Sequence, residues 1–156
     1  MEDNKASFIK SGKGKGIAGY YKENKMISAD QVNLEKFQIG KFIHKSIDII
    51  NIYRSQTGNS FESLLHLMKM IEDGRPTLIT GDLNACFVEN FNDRLIQGLL
   101  SLGFSQLVHE GTHIKGRHID HAYILDPTGE VNSKVDRYSP YFSDHDGICI
   151  TLTNLS

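Results

Sequence analysis

The sequence predicts an α+β fold: a sandwich of two β-sheets with helices on its outside. Strand-length apolar runs outnumber helical patterns, the helices fall between strands, and the last third of the chain is strand after strand. A doubly wound parallel sheet competes with this arrangement and fits that last third less well. With 156 residues, 39% of them hydrophobic and 23% charged, the chain reads as one domain over 1–156 with room for a sizeable core. Residues 1–15, rich in lysine and glycine, are expected to be mobile.

Each element has its own reason. Residues 16–22 hold the pair Tyr20-Tyr21 and read as a strand. Residues 36–44 alternate Phe37 and Ile39 before Phe42 and Ile43. After a turn at Lys45-Ser46, residues 46–53 carry Ile47, Ile49, Ile50 and Ile52 in a nearly continuous apolar run, as in a strand covered on both faces. A helix follows. Asn59 is placed to cap it, Glu62 stands at capping-box spacing, and Phe61, Leu64, Leu65, Met68 and Ile71 recur with the helical period. Gly74 and Pro76 stop it. Met68 and Met70 read as core filler. Residues 77–80 form a short buried strand. A second helix, about 92–102, presents Leu95, Ile96, Leu99 and Leu102 on one face and ends at Gly103. Residues 104–108, 117–125, 131–138 and 147–153 read as the closing strands.

A net charge of −2 argues against a nucleic-acid binder that works by a broad basic surface. Lys10, Lys13 and Lys15 offer a local basic patch, against which stands the plainer reading of a solvated terminus. The two cysteines, Cys86 and Cys149, make no disulfide framework, and Cys149 is expected to be buried in its apolar run. No apolar stretch approaches the length of a membrane span and no leader pattern opens the chain, so no membrane partner is expected and the setting is intracellular, nuclear or cytoplasmic.

The chemistry sits in short motifs at strand ends. In Gly81-Asp82-Leu83-Asn84 the glycine lets a buried strand turn sharply, and Asp82 and Asn84 point the same way if the chain stays extended. An acid and an amide on one side can hold water or a phosphate oxygen. In Arg117-His118-Ile119-Asp120-His121, alternation puts His118 and Asp120 on one face, Ile119 and His121 on the other. Asp120 is the better site candidate, because a carboxylate on a buried strand needs a partner, and His145 would serve. In Ser143-Asp144-His145, adjacent side chains diverge and need different partners: Asp144 a metal, His145 a phosphate or a proton. Taken singly, each motif is an ordinary turn or loop. Taken together, three acids converging from separate strand ends could hold a divalent cation beside a histidine, the outline of a metal-assisted phosphodiesterase. A structural zinc on His113, His118 and His121 is disfavoured, since the last two diverge on a strand and no cysteine pair accompanies them.

In order and context the motifs resemble those of the endonuclease/exonuclease/phosphatase superfamily, the deoxyribonuclease-I-like fold, and most of all its retrotransposon and apurinic-type endonucleases. The Gly-Asp-hydrophobic-Asn pattern corresponds to residues 81–84, the Thr-then-Gly-then-apolar-Asp pattern to Thr112, Gly116 and Ile119-Asp120, and the closing Ser-Asp-His to residues 143–145. Ile50-Asn51-Ile52-Tyr53-Arg54 resembles the strand end whose tyrosine meets the phosphate, and residues 14–23 resemble the strand that begins the middle section of many retrotransposon members.

The resemblance implies catalytic roles for Asp82, Asn84, Asp120 and His145, phosphate binding by Tyr53, Arg54, Asn84 and Thr112, and a metal held by Asp144 and Asp82. The metal implied is Mg²⁺, with Mn²⁺ as an alternative. The family opens with a strand bearing an asparagine and then delivers a metal-binding glutamate. Met1-Glu2-Asp3-Asn4 matches neither element, and Glu23 and Asp30 lack the expected setting. A sandwich lacking the family's first strands is therefore expected, with an uncovered sheet edge that invites a homodimer. Two functions stay open: Mg²⁺-dependent hydrolysis of nucleic acid, DNA foremost, and a non-catalytic nucleic-acid or phosphate-binding module that has lost the glutamate. A phosphatase acting on a small phosphorylated molecule is a third, suited by the near-neutral charge.

Overall fold

The computed structural model describes residues 4–10, 16–22, 26–109, 116 and 119–155. Among them run β1 (Asn4–Lys10), β2 (Gly16–Lys22), β3 (Met26–Leu34), β4 (Phe37–His44), β5 (Asp48–Arg54), α1 (Ser60–Met70), β6 (Thr77–Asp82), α2 (Arg94–Ser101), β7 (Ser105–Gln106), β8 (Asp120–Leu125), β9 (Asn132–Tyr138) and β10 (Gly147–Thr153). The main sheet has six strands in the order β3-β4-β5-β6-β8-β7. All its neighbours are antiparallel except β5 and β6, which run parallel with α1 between them in sequence. Two smaller sheets, β1-β2 and β9-β10, complete an α+β architecture. Among the described residues no helix is long and apolar enough to cross a membrane.

One expectation about the start of the chain is corrected here. Residues 4–10, expected to be mobile, form a strand paired in register with β2. Residues 26–34, where the sequence pattern marked no element, form another strand, paired with β4. Lysines concealed the first, and a sparse set of apolar residues among polar ones the second. Pairing along the whole length of a neighbour outweighs such weak local preferences.

One face of the main sheet carries the core. Phe37 and Ile39, Ile50 and Ile52, Ile79 and Tyr123 meet Leu67 and Met70 of α1 and Leu95, Ile96 and Leu99 of α2. Asn59 caps α1 by accepting from the Glu62 amide at 2.9 Å. The expected apolar face of α1 is rotated, however. Ser63, Leu67 and Met70 are buried, whereas Phe61, Leu65 and Met68 are exposed. The heptad-like spacing of two overlapping apolar stripes does not say which one packs. Packing of Leu67 and Met70 against the sheet selects the stripe holding Ser63, whose hydroxyl donates to the Asn59 carbonyl at 2.8 Å and so is satisfied where it is buried. The helices touch at Gly98, where a Cβ would lie 2.4 Å from the Leu64 side chain.

The opposite face looks toward β10. Thr80 and Ala122 share a cavity with Ile148 and Ile150, so the apolar residues of β10 turn inward on alternate positions. Cys149, between them, is exposed, and its expected burial is corrected: an apolar run at the edge of a two-stranded sheet has only one covered side.

Candidate functional site

Strand direction decides where the chemistry gathers. β5 and β6 end at the same rim of the sheet, and β8, antiparallel to β6, begins there. Register then lines up Gln38, Tyr53, Asp82 and Asp120 as direct neighbours on four successive strands. Direct neighbours share a face, and this face is the one opposite the core.

Gly81 makes the end of β6. Its φ of +150° and a Cβ position only 1.8 Å from the Ile52 carbonyl oxygen exclude any side chain. Past it the chain turns. The Asn84 amide donates to the Asp82 carboxylate at 2.9 Å, and Asn84 itself has φ +47°. The expectation of an extended Asp82-Leu83-Asn84 is thereby corrected. The Asn84 side chain swings back and donates from Nδ2 to the Arg54 carbonyl at 2.5 Å.

His145 arrives from the other side, ahead of β10. Its Nδ1 and the Asp120 carboxylate are 2.6 Å apart. One donor atom from each of Asp82, Asp120 and His145 lies within 4.8 Å of the others. Two carboxylates from adjoining strands and an imidazole from the loop before β10 fit what a divalent cation takes from a protein, the rest of its shell being water. Asp144, expected as a metal ligand, is outside this group: its carboxylate lies 3.9 Å from His145 Nε2 and is largely exposed.

Electrostatics follow from this packing. Burial by itself would lower the His145 pKa. The hydrogen bond and charge of Asp120, with the charges of Asp82 and Asp144, outweigh it and raise the pKa above the ordinary 6.5. Nδ1 is engaged by Asp120, and Nε2 faces the Asp144 carboxylate at 3.9 Å.

The remaining sequence candidates sort clearly. Tyr53 is half-buried beside Asp82 in the row. Arg54, expected at the phosphate, is 3% exposed and points the other way. Its Nε donates to the Leu83 carbonyl at 2.8 Å, and its terminal nitrogen pairs with Asp93 at 3.1 Å and with the Ser60 hydroxyl. It ties the turn after β6 to the starts of both helices. His121 is buried, as alternation requires, between the Ala85 carbonyl and the Tyr123 hydroxyl, each at 2.8 Å. Thr112, His113 and His118 lie outside the described residues. Sequence reasoning missed Asp146, which lines the cavity beside Asp120 and binds both Ser139, at 2.6 Å, and Arg137, at 3.1 Å. The only signal for it was one more acid after Ser-Asp-His.

No protein-family model and no curated protein matches the sequence. Solved structures do match. The endonuclease domain of TRAS1, a telomere-specific non-LTR retrotransposon, superimposes with a TM-score of 0.67 at 15% identity, over 97% of this chain and 79% of that one. An endonuclease/exonuclease/phosphatase family protein from Leptotrichia buccalis gives 0.64 at 15% identity, over 97% and 72%. The fold is the endonuclease/exonuclease/phosphatase fold. A mannosyl-6-phosphatase from Bacteroides thetaiotaomicron shares this fold too, with a TM-score of 0.62 at 15% identity over 95% and 77%. The fold thus serves nucleases and phosphatases alike, and only the site can choose between them.

Proposed function

We propose that this protein is a metal-dependent phosphodiesterase acting on nucleic acid, DNA foremost, with Mg²⁺ as its cation and Mn²⁺ as a substitute. One observation carries the reading: Asp82, Asp120 and His145 meet within 4.8 Å at adjoining strand ends, with Tyr53 beside them. Asp82 and Asp120 would hold the cation, which supplies positive charge against the phosphoryl oxygens and acidifies nearby water. Asp82 orients the attacking water. His145 exchanges a proton while Asp120 fixes its ring and stabilises its charged form. Tyr53 and the Asn84 turn position the phosphate. Neither Cys86 nor Cys149 is in a disulfide, which suits an intracellular setting. A homodimer through a sheet edge belongs to the same reading, and light scattering over a wide concentration range checks it: a constant monomeric mass refutes the dimer.

A second reading is a phosphatase of small phosphorylated molecules, favoured by the net charge of −2 and by a phosphatase among the fold's members. The deciding assay offers supercoiled DNA, single-stranded DNA, RNA and a sugar phosphate with Mg²⁺ or Mn²⁺. Cleavage of polymers, lost in excess EDTA and weakened in Asp82→Asn, is expected. Asp82→Asn and Asp120→Asn should raise the Mg²⁺ concentration needed for half-maximal rate far more than Asp144→Asn does. The reverse ranking moves the cation to Asp144, and turnover of the sugar phosphate alone replaces the nuclease with the phosphatase.

A further inference from the structure

The loop that delivers His145 ends in two aromatic rings that nothing covers. Tyr141 is 100% exposed and Phe142 80% exposed. The rings brace each other edge to face, 5.5 Å between centroids and 86° between planes. The loop beneath them is fastened: Asp146 holds Ser139 and Arg137 on its ascending side, and the Ser143 hydroxyl accepts from the His145 amide at 3.1 Å. Two large rings mostly or wholly in water, on a tip held at its base, do not contribute to the core, and their exposure costs solvation free energy. Phe142 stands three residues from His145, a span of at most about 11 Å. That is the reach of a nucleotide next to the reacting phosphate.

We propose that Tyr141 and Phe142 form a stacking step for an unpaired base adjoining the scissile phosphate, so that the preferred substrate is single-stranded or locally opened nucleic acid. This rests on the phosphodiesterase reading above. Charge supports the choice of occupant. A chain of net charge −2 has little electrostatic grip on a polyanion, and stacking is the sequence-tolerant alternative because every base has a ring face. A base paired within a duplex has both faces covered by its neighbours and offers none to the step.

The test uses single-stranded oligonucleotides carrying 2-aminopurine, and binding is read by fluorescence without Mg²⁺, where nothing is turned over. Wild-type protein should quench the fluorophore and bind single strands more tightly than duplexes. Tyr141→Ala and Phe142→Ala should abolish quenching and weaken binding about tenfold. Tyr141→Trp should restore both, whereas Tyr141→Leu, equally apolar but without a flat ring, should not. An oligonucleotide with an abasic site beside the cut should show no further loss in the alanine variants, since base and ring form one contact. Unchanged affinity in the alanine variants overturns the proposal and leaves the tip as a protein-docking element. Quenching without cleavage in Mg²⁺ keeps the step and removes the catalytic reading. Cleavage indifferent to the rings does the opposite.

Discussion

At the scale of single residues, Asp120 sets the state of His145. Its hydrogen bond holds the ring, and its charge, with those of Asp82 and Asp144, keeps the proton on to higher pH than a free imidazole would. The pKa of the folded state is raised. The pair therefore stabilises the fold in full below the ordinary value of 6.5, and that contribution fades as pH rises through the folded value. Asp120→Asn removes both the charge and the charge-assisted bond, so the His145 titration followed by NMR in metal-free buffer should move to lower pH. An unmoved titration would show that other groups hold the proton. Asp82, Asp120 and His145 were legible in the sequence because strand alternation and strand ends fix where such side chains point. Asn84 and Arg54 were not. Asn84 turns because a local hydrogen bond from its own amide to Asp82 bends the chain, and Arg54 turns because Asp93, far off in sequence, offers a buried partner. The first is a turn that the residue types permit but do not compel, and the second depends on a partner 39 residues away.

At the scale of elements, the helices are locked to the site rim by one carboxylate. Asp93 caps α2, accepting from the Leu95 amide at 2.9 Å, and also neutralises the buried Arg54. Asp93→Ala removes the cap and strands a charge, which should destabilise the protein by about 3–5 kcal/mol in urea unfolding. Asp93→Asn keeps the cap and should cost less. Equal, small losses in both would mean that Arg54 finds water instead. The elements themselves followed from periodicity wherever apolar residues were dense, as in β5 and the two helices. β1 and β3 escaped because their pairing partners, and not their composition, hold them in strand form. The facing of α1 escaped for a related reason: packing against a sheet assembled from distant segments chose between two stripes that the period alone leaves equal.

At the scale of the whole molecule, the sheet has one rim where Asp82, Asp120 and His145 gather and an opposite rim held by buried charges. Lys41, Arg75 and the fully buried Asp48 form an ion cluster on the latter, with Lys41 also donating to the Met70 carbonyl at 2.7 Å. The fold class could be read from the density and spacing of apolar runs, whereas the sheet order could not, since it depends on β8 entering between β6 and β7. The placement of the thiols has a practical consequence. Cys149 lies on the outward side of β10, and Cys86 is enclosed. A maleimide dye should add to the native protein once and to the unfolded protein twice, which intact-mass measurement reads directly. Two rapid additions to native protein would place Cys86 within reach of solvent. With a single addition, the molecule carries its own attachment point for a fluorophore or a surface on the side of β10 turned from the carboxylates, and the slow second addition becomes a clock for how often the whole fold opens.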